Sequence, residues 1–419
     1  MDDQLLGAAV QAFAADDAIA VRAMLANHPE LRAVLSEPVG PFDSPAIVNV
    51  RSREMLDVLL EAGADIDARS RWWAGSFGLL DHARPDLAAY AIERGATVTA
   101  HAAARLGLMD RLRDIVERDP EVVHAPGGDG QTPLHFAGTA GIAAFLLERG
   151  ADIDARDVDH ESTPAQHMSA DRPEVARYLV SRGCWTDLFL ASALGDIDLA
   201  RRHLDADPAA IRARVDHDSY PMNDPRAGGT IYQWTLGFHA SPHQVARRFG
   251  YHDLLRLLLE RSPADVRLLE ACWAGDEPRA RAMLDDEPGL VGRLSDGDRR
   301  QVAHAARNNE TAAVRLMLEC GWPVDARGQH QATPLHWAAF HGNAEMARAI
   351  LRYGPPLEVT DADHGSTPLR WAVHGSEEGW NARTGDYGAT VAALLEAGAR
   401  PPDQIAGSAP VREVLARAR

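Results

Sequence analysis

The sequence predicts an all-α solenoid of about twelve stacked helix pairs, with one long hairpin-like finger inserted between two of them. The first observation behind this prediction is that short amphipathic helix pairs, each closed by a glycine, recur at a period of about 33 residues. The second is the size of the chain, since 419 residues exceed one ordinary globular core. The content of 46% hydrophobic and 25% charged residues is typical of a folded chain. We therefore expect a single repeat array over residues 1–419.

The clearest helix pair lies in Gln331–Gly354, which reads QATPLHWAAFHGNAEMARAILRYG. Thr333 can cap a first helix that begins at Pro334, where the missing backbone N–H of proline costs nothing. Gly342 interrupts the apolar spacing, and a second amphipathic helix ends at the closing glycine. The segment therefore predicts two short antiparallel helices.

The TPLHxAA pattern of this pair resembles the ankyrin repeat, in the bacterial-type form of that family. The resemblance implies that the loops joining the repeats project as fingers, and that binding takes place on the concave face made by the fingers and the first helices. It also implies that His135 and His336, at the TPLH position, bond to backbone groups and are structural. Trp337 and Trp371 occupy a position where the family usually has leucine, so we expect both in the core.

A longer regularity divides the array into four blocks. Segments of the form LL-A---GD---R--L---P end at prolines that are 91, 88 and 80 residues apart, namely Pro29, Pro120, Pro208 and Pro288. Each is followed by one to three repeats that are closer to the ankyrin pattern. The predicted blocks are residues 1–97, 98–186, 187–265 and 266–400, followed by a C-terminal cap at 401–419 with an amphipathic helix at Pro410–Arg419.

One repeat of the second block is shorter than the others. The helix cap and the closing glycine are 21 residues apart at Thr333 and Gly354, but 18 apart at Thr132 and Gly150. This repeat is expected to have lost close to one helical turn.

Composition excludes several classes of function. The net charge of −18 comes without a basic stripe, which argues against nucleic acid as a partner. The three cysteines, Cys184, Cys272 and Cys320, are widely spaced, so we expect free thiols and neither a disulfide framework nor a CxxC zinc site. The acidic N-terminal stretch lacks the positive charge of a signal peptide, and no apolar run reaches the ~18 residues of a membrane span. These observations predict a cytoplasmic protein without membrane contact.

The insertion at residues 216–240 is the strongest candidate for a binding surface. Residues 212–215 and 230–236 alternate in strand fashion around turn residues, which predicts a hairpin finger. Its aromatic residues are Tyr220, Tyr232, Trp234 and Phe238. Aromatic side chains on a projecting loop offer a large contact area with few rotors, so we expect them to bind a partner. The alternative is that they pack inward and hold the loop in place.

Further aromatic residues stand at positions where the family binds its partners. Trp72 and Trp73 lie in a finger, Phe340 and His341 lie at the end of a first helix, and Trp380 lies in a lengthened loop. We expect these five to contribute to partner binding.

Histidine and aspartate recur at the finger tips in the order DxDH, at Asp157, Asp159 and His160 and again at Asp361, Asp363 and His364. Neighbouring tips should lie ~10 Å apart, which is too far for one zinc ion unless side chains converge. Solvated turn residues are therefore the first interpretation, with no metal and no cofactor. In the alternative, an enzyme, Asp218, His239, His160 and Asp159 are the candidate acid–base groups.

The sequence therefore favours a recognition protein that binds another macromolecule, most simply a protein, through its concave face and fingers. No P-loop, GxSxG or HExxH motif is present. The alternative is an enzyme or a small-molecule receptor in the groove, for a polar ring-stacking ligand such as a sugar. A third possibility is a spacer with no ligand groove.

Overall fold

The computed structural model describes residues 3–418, and most of that range is helical. Within it there is no β-strand, only two isolated bridges. The chain divides into two compact units, with the boundary between Leu255 and Arg256. No helix in the described range is both long enough and apolar enough to cross a membrane.

The first unit is a series of short helix pairs. Its α-helices are α1 (Asp3–Ala15), α2 (Ala18–Asn27), α3 (Arg53–Glu61), α4 (Pro85–Glu93), α5 (Ala100–Leu106), α6 (Met109–Arg118), α7 (Ala140–Glu148), α8 (Pro164–His167), α9 (Pro173–Ser181), α10 (Leu188–Leu194), α11 (Ile197–Ala206) and α12 (Pro242–Arg248). Short 3₁₀ turns stand in place of some first helices, at Ala46–Asn49, Leu79–Asp81 and Pro133–Phe136. The boundary between the units falls inside α13 (His252–Arg261).

The second unit has more regular pairs. Its α-helices are α14 (Ala264–Trp273), α15 (Glu277–Asp286), α16 (Asp296–Arg299), α17 (Gln301–Arg307), α18 (Thr311–Glu319), α19 (Pro334–Phe340), α20 (Ala344–Leu351), α21 (Pro368–Glu378), α22 (Tyr387–Glu396) and α23 (Ala409–Arg417). The first helices α17, α19 and α21 pack side by side, and the second helices α18, α20 and α22 form the neighbouring layer.

The repeat around α19 folds as its sequence predicts. Proline opens the helix, and the backbone N–H of Thr333 donates to Nδ1 of His336 at 3.1 Å, which satisfies one of the unpaired N–H groups at the helix start. Asn343 caps α20 by accepting the N–H of Met346 at 2.9 Å. Between the two helices Gly342 has a φ of 62°, a left-handed conformation that glycine adopts without strain.

Each unit buries its own apolar residues. In the second unit the core includes Leu335, Ile350 and Leu369. Trp337 and Trp371 are 3% and 8% exposed, so the prediction that both lie in the core is confirmed. No helix pair could bury such a stripe alone, and stacking on the neighbouring pairs removes it from water.

The shortened repeat in the first unit is also confirmed. Like the repeats at Ala46–Asn49 and Leu79–Asp81, this repeat has only a 3₁₀ turn, Pro133–Phe136, in place of a first helix, and α7 begins at Ala140. The loop between them passes against the preceding repeat, because a Cβ on Gly138 would lie 2.5 Å from the carbonyl oxygen of Arg105.

The insertion at residues 216–240 is not the predicted hairpin. Only its base is paired, where the N–H of Val215 donates to the Ala240 carbonyl at 3.0 Å and the N–H of His239 donates to the Val215 carbonyl at 2.9 Å. Between these ends the chain makes bends and one π-helical turn, Gln233–Gly237. The physical reason is that Tyr232 and Leu236 are buried while Trp234 between them is 72% exposed. A strand would place all three side chains on one face, whereas a helical turn places only the residues four apart together.

The C-terminal amphipathic helix is confirmed over the described residues. It forms α23, which packs on α22 and buries Val411 and Leu415. The last residue of the predicted segment, Arg419, lies outside the described range. The three cysteines are free, as expected.

Candidate functional site: an aromatic groove in the second unit

The second unit carries a groove walled by aromatic rings, which we call the aromatic groove. Its volume is about 470 Å³. The first helices α19 and α21 form its floor, and two fingers and the loop after α21 form its sides. The lining residues are His330, Trp337, Phe340, His364, Ser366, Arg370, Trp371, His374 and Trp380.

The groove exists because α21 is longer than its neighbour. It has 11 residues, whereas α19 has 7. Gly375 permits this extension, since a Cβ at that position would lie 2.5 Å from the carbonyl oxygen of Phe340. The extra residues lead into the loop that carries Trp380 beside the end of α19.

Four rings pack at the centre of the groove. The Trp337 and Trp380 rings stack with centroids 6.0 Å apart and an interplanar angle of 24°. Trp371 meets Trp337 edge to face at 5.0 Å, and Phe340 meets Trp380 edge to face at 5.2 Å. Trp380 is nevertheless 62% exposed. The exposed indole of Trp380 is therefore packed on one side against Trp337 and Phe340 and open to solvent on the other.

An arginine from the adjacent first helix supports these rings. The guanidinium carbon of Arg307, at the end of α17, lies 5.6 Å from the Trp337 ring centroid and 5.4 Å from that of Trp380. Its Nε donates to Oε1 of Gln329 at 2.7 Å. Burial lowers the pKa of Arg307 below its ordinary value. Cation–π contacts of this kind hold an exposed indole in one orientation.

His341, predicted as a binding residue, positions the loop and does not line the groove. Its Nε2 donates to the Arg307 carbonyl at 2.7 Å, and its Nδ1 accepts from the side-chain amide of Asn381 at 2.9 Å. Burial lowers its pKa, so the neutral ring that makes both bonds is favoured. The imidazole therefore ties α17 to the loop that carries Trp380.

Asp361 organises the finger beside the groove. It accepts the indole N–H of Trp371 at 2.9 Å and the backbone N–H groups of His364 at 2.7 Å and Ser366 at 2.9 Å. Burial acts to raise the pKa of this carboxyl, but the hydrogen bonds outweigh it and lower the pKa to about 2. At the rim, Nδ1 of His330 lies 2.5 Å from Oδ2 of Asp363.

In the first unit the predicted binding tyrosines face inward. The hydroxyl of Tyr220 donates to Oδ2 of Asp187 at 2.7 Å, and the hydroxyl of Tyr232 donates to Oδ1 of Asp187 at 3.1 Å. Tyr232 is completely buried. Burial raises the pKa of Asp187, although the hydrogen bonds act to lower it. These tyrosines hold the insertion in place, which is the alternative considered from the sequence.

The other aromatic residues of the insertion remain at the surface. Trp234 is 72% exposed, and Phe238 is half-buried with its ring centroid 4.1 Å from that of His239. Trp73 contacts the insertion, since the guanidinium of Arg226 lies 4.2 Å from its ring centroid. Its neighbour Trp72 donates its indole N–H to Oδ1 of Asp129 at 3.0 Å, a contact that the sequence did not indicate.

The four candidate acid–base residues do not form one catalytic arrangement. Asp218 is exposed, and Nδ1 of His239 lies 3.6 Å from Oδ2 of Asp216, a different carboxylate. His160 and Asp159 are buried together, with Nε2 and Oδ2 3.7 Å apart. The last pair belongs to a group of side chains that could hold a metal ion and that includes Asp129.

Several residues of the groove were not identified from the sequence. Arg307, Arg370 and His374 line or support it. The signal that could have found them is position, since each lies in a finger or on a first helix, where the ankyrin fold directs side chains to the concave face.

The family comparison agrees with this architecture. The profile described as "Ankyrin repeats (3 copies)" matches residues 188–361 and 302–401, which is just over half of the chain. The profile "Ankyrin repeat" matches residues 129–158. The chain therefore belongs to the ankyrin-repeat family, whose repeats are protein-interaction modules.

Curated relatives share the repeats over short segments. Palmitoyltransferase Hip14 of Drosophila melanogaster is 29% identical over 126 residues, which cover 30% of this chain and 18% of that protein. E3 ubiquitin-protein ligase XB3 of Oryza sativa subsp. japonica is 33% identical over 98 residues, covering 23% and 22%. Ankyrin repeat and SOCS box protein 16 of Homo sapiens is 37% identical over 90 residues, covering 22% and 19%. The chain thus spans about a fifth of the length of these relatives.

Proposed function

We propose that this protein is a recognition protein whose aromatic groove binds a segment of a protein partner. The segment places an apolar side chain in the groove against the solvent-exposed face of Trp380, beside the floor made by Trp337 and Trp371. The exposed indole of Trp380 carries this proposal, because Arg307 and the stack on Trp337 hold it open to solvent. Tryptophan and arginine are the residues that most often dominate binding energy at protein interfaces.

The charges around the groove are mixed. The cation Arg370 and the polar imidazoles of His364 and His374 are exposed near it, and Asp363 carries a negative charge at the rim. A polar rim around an apolar centre is the usual arrangement at protein interfaces. We therefore expect the partner to present an apolar residue with polar neighbours on both sides.

The test compares two exposed tryptophans in partner capture. The full chain is immobilised, and bound proteins from a native extract are quantified for wild type, Trp380→Ala and the control Trp234→Ala. We expect one stoichiometric partner, whose affinity falls about 30-fold or more in Trp380→Ala because a central aromatic contact is worth roughly 2 kcal/mol. Trp234→Ala should retain it. Equal capture by the two variants would exclude the groove as the binding site.

A small ring-stacking ligand is the second candidate occupant. The volume of about 470 Å³ suits a small molecule, and the indole of Trp380 stacked on Trp337 could hold a sugar ring. Titration of the tryptophan fluorescence with mono- and disaccharides separates the two functions. Saturable quenching that Trp380→Ala abolishes, together with no protein partner, would favour the receptor.

A further inference from the structure

We propose that Asp129, Asp159 and His160 in the first unit form a binding site for one divalent transition-metal ion of the zinc type. The free ligand atoms are Oδ2 of each carboxylate and Nε2 of the imidazole. The sequence predicts no metal site, because neighbouring finger tips are expected to lie ~10 Å apart. The side chains of two neighbouring fingers converge instead.

The three ligand atoms are close to coordination distances. Nε2 of His160 lies 3.9 Å from Oδ2 of Asp129 and 3.7 Å from Oδ2 of Asp159. All three side chains offer atoms within 4.8 Å of one another. Ligands of one zinc ion at ~2.0–2.2 Å from the metal lie roughly 3–4 Å apart. Side-chain shifts below about 1 Å would therefore close the site around an ion.

Each ligand is oriented by a hydrogen bond from outside the group. Nδ1 of His160 lies 2.8 Å from the Gly229 carbonyl, an acceptor, so Nδ1 carries a proton and Nε2 presents its lone pair to the two carboxylates. Oδ1 of Asp159 accepts the N–H of Gly228 at 3.1 Å, and Oδ1 of Asp129 accepts the indole N–H of Trp72 at 3.0 Å. Outer contacts of this kind fix the geometry of metal ligands in proteins.

A metal site explains the arrangement of Asp129, Asp159 and His160 better than an ion pair between the imidazole and the carboxylates does. Asp129, Asp159 and His160 are 8%, 6% and 8% exposed, so two carboxylates are removed from water beside a single imidazole. In the described part of the chain, each carboxylate has only His160 within ion-pair distance. The separations of 3.7 and 3.9 Å exceed the ~2.7–2.9 Å of a charge-assisted hydrogen bond, so the imidazole is not hydrogen-bonded to either carboxylate.

The second unit contains the same finger with a different charge balance. Asp129 and His330 each stand three residues before a capping threonine and have positive φ angles of 54° and 59°. The carbonyl of each accepts a backbone N–H from the next finger, that of Val158 at 2.7 Å for Asp129 and that of Ala362 at 2.8 Å for His330. Asp363 then takes the place of Asp159.

In that second finger the carboxylate is paired without a metal. His330 contacts Asp363 with Nδ1 and Oδ2 2.5 Å apart, so an imidazole faces a carboxylate. In the first unit Asp129 stands at the position of His330, so the carboxylates of Asp129 and Asp159 face each other. A divalent cation would neutralise the two carboxylates, Asp129 and Asp159, that face each other there.

The neighbouring group of His135, Asp157 and His167 is a weaker site. Nδ1 of His135 accepts the Thr132 N–H at 3.1 Å, and its Nε2 donates to the Ser162 carbonyl at 3.2 Å. Both ring nitrogens are therefore used by the TPLH motif, which leaves none for a metal. One nitrogen and two carboxylate oxygens at the first group suit Zn²⁺, Co²⁺ or Mn²⁺.

The test is a metal titration of the full chain after removal of metals with a chelator. Zn²⁺ binding is measured by calorimetry, and Co²⁺ binding by the visible absorption of the protein-bound ion. We expect one equivalent per chain, with affinity reduced about tenfold or more in Asp129→Asn and His160→Gln. Asp129→Asn keeps the side-chain shape and the acceptor for Trp72, and circular dichroism checks its fold.

Matched controls come from the second finger. Asp363→Asn and His364→Gln change the equivalent residues and should leave Zn²⁺ affinity and the Co²⁺ spectrum unchanged. Trp72→Phe removes the outer hydrogen bond, keeps an aromatic ring beside Phe42 and Trp73, and should weaken binding about tenfold. No saturable one-to-one binding, or binding that Asp129→Asn and His160→Gln leave intact, would overturn the proposal.

Discussion

At the scale of single residues, the two TPLH histidines act through hydrogen bonds in their neutral form. In His336, Nδ1 accepts the Thr333 N–H at 3.1 Å and Nε2 donates to the Ser366 carbonyl at 3.1 Å. His135 makes the equivalent bonds to Thr132 and Ser162. The structural role that the family resemblance implied for both residues is confirmed.

This arrangement predicts a loss of stability in acid. Burial is the main cause that lowers the pKa of His336 to about 4, against an ordinary value near 6.5. Because the folded pKa is the lower one, the contribution of the neutral ring is fully present above pH ~6.5 and is lost as the pH falls toward 4. For His336 alone the change approaches roughly 3 kcal/mol.

Urea unfolding at pH 7.0, 5.5 and 4.5 measures this effect. In wild type the free energy of unfolding should fall with pH, and in His336→Gln the fall should be smaller, because glutamine does not titrate. His364→Gln, at an exposed finger position, is the control and should keep the wild-type slope. If His336→Gln has the same slope as wild type, the buried ring is not responsible.

At the scale of single elements, the groove depends on how closely α21 approaches α19. Gly375 makes this contact possible, since a Cβ would lie 2.5 Å from the Phe340 carbonyl oxygen. The hydroxyl of Tyr387 donates to the same carbonyl at 2.8 Å. The lengthened helix and its loop are therefore fixed to the end of α19 on two sides.

We predict that Gly375→Ala destabilises the second unit by about 1–3 kcal/mol, because the added methyl group must displace backbone. Gly292→Ala is the matched control, since a Cβ there meets nothing within 4 Å and its φ is not positive. It should be neutral or stabilise by about 0.4–1 kcal/mol, because alanine restricts the unfolded chain. The free energies come from urea unfolding followed by tryptophan fluorescence. Equal effects of both changes would mean that α21 is not held against α19.

Helix pairs, caps and the shortened repeat could be predicted because each depends on local signals. The TPLH turn, the closing glycine and the 33-residue period are read directly from the chain. The conformation of the insertion could not be predicted, because the seven residues around Tyr232 fit either strand or helical spacing, and tertiary burial decides between them. For the same reason Tyr220 and Tyr232, which the sequence predicts as binding residues, pack in or against the core.

The aromatic groove was only partly predictable for a related reason. The sequence predicts Trp380 and Phe340 as binding aromatics and places Trp337 in the core. In the structure Trp337 is buried in the core and also lines the groove. Arg307 lies a repeat away in sequence, and only the stacking of first helices brings it to these rings.

At the scale of the whole molecule, the repeats define the fold but leave the ligand open. A stack of helix pairs has no built-in chemistry, and its binding properties depend on the side chains on the fingers and first helices. The relatives share these repeats over about a fifth of their own length. The proposed function therefore rests on the aromatic groove of the second unit and not on the relatives.

Site-specific photocrosslinking measures partner binding in the aromatic groove while Trp380 stays in place. A photoreactive phenylalanine derivative replaces the exposed groove residue His374 in one variant and the exposed Trp234 in another, and both are irradiated in native extract. We expect one crosslinked partner protein from position 374, reduced by excess wild-type chain, and none of that product from position 234. The same products from both positions, or no product at 374 under conditions in which wild type captures the partner, would rule out the groove as the binding site.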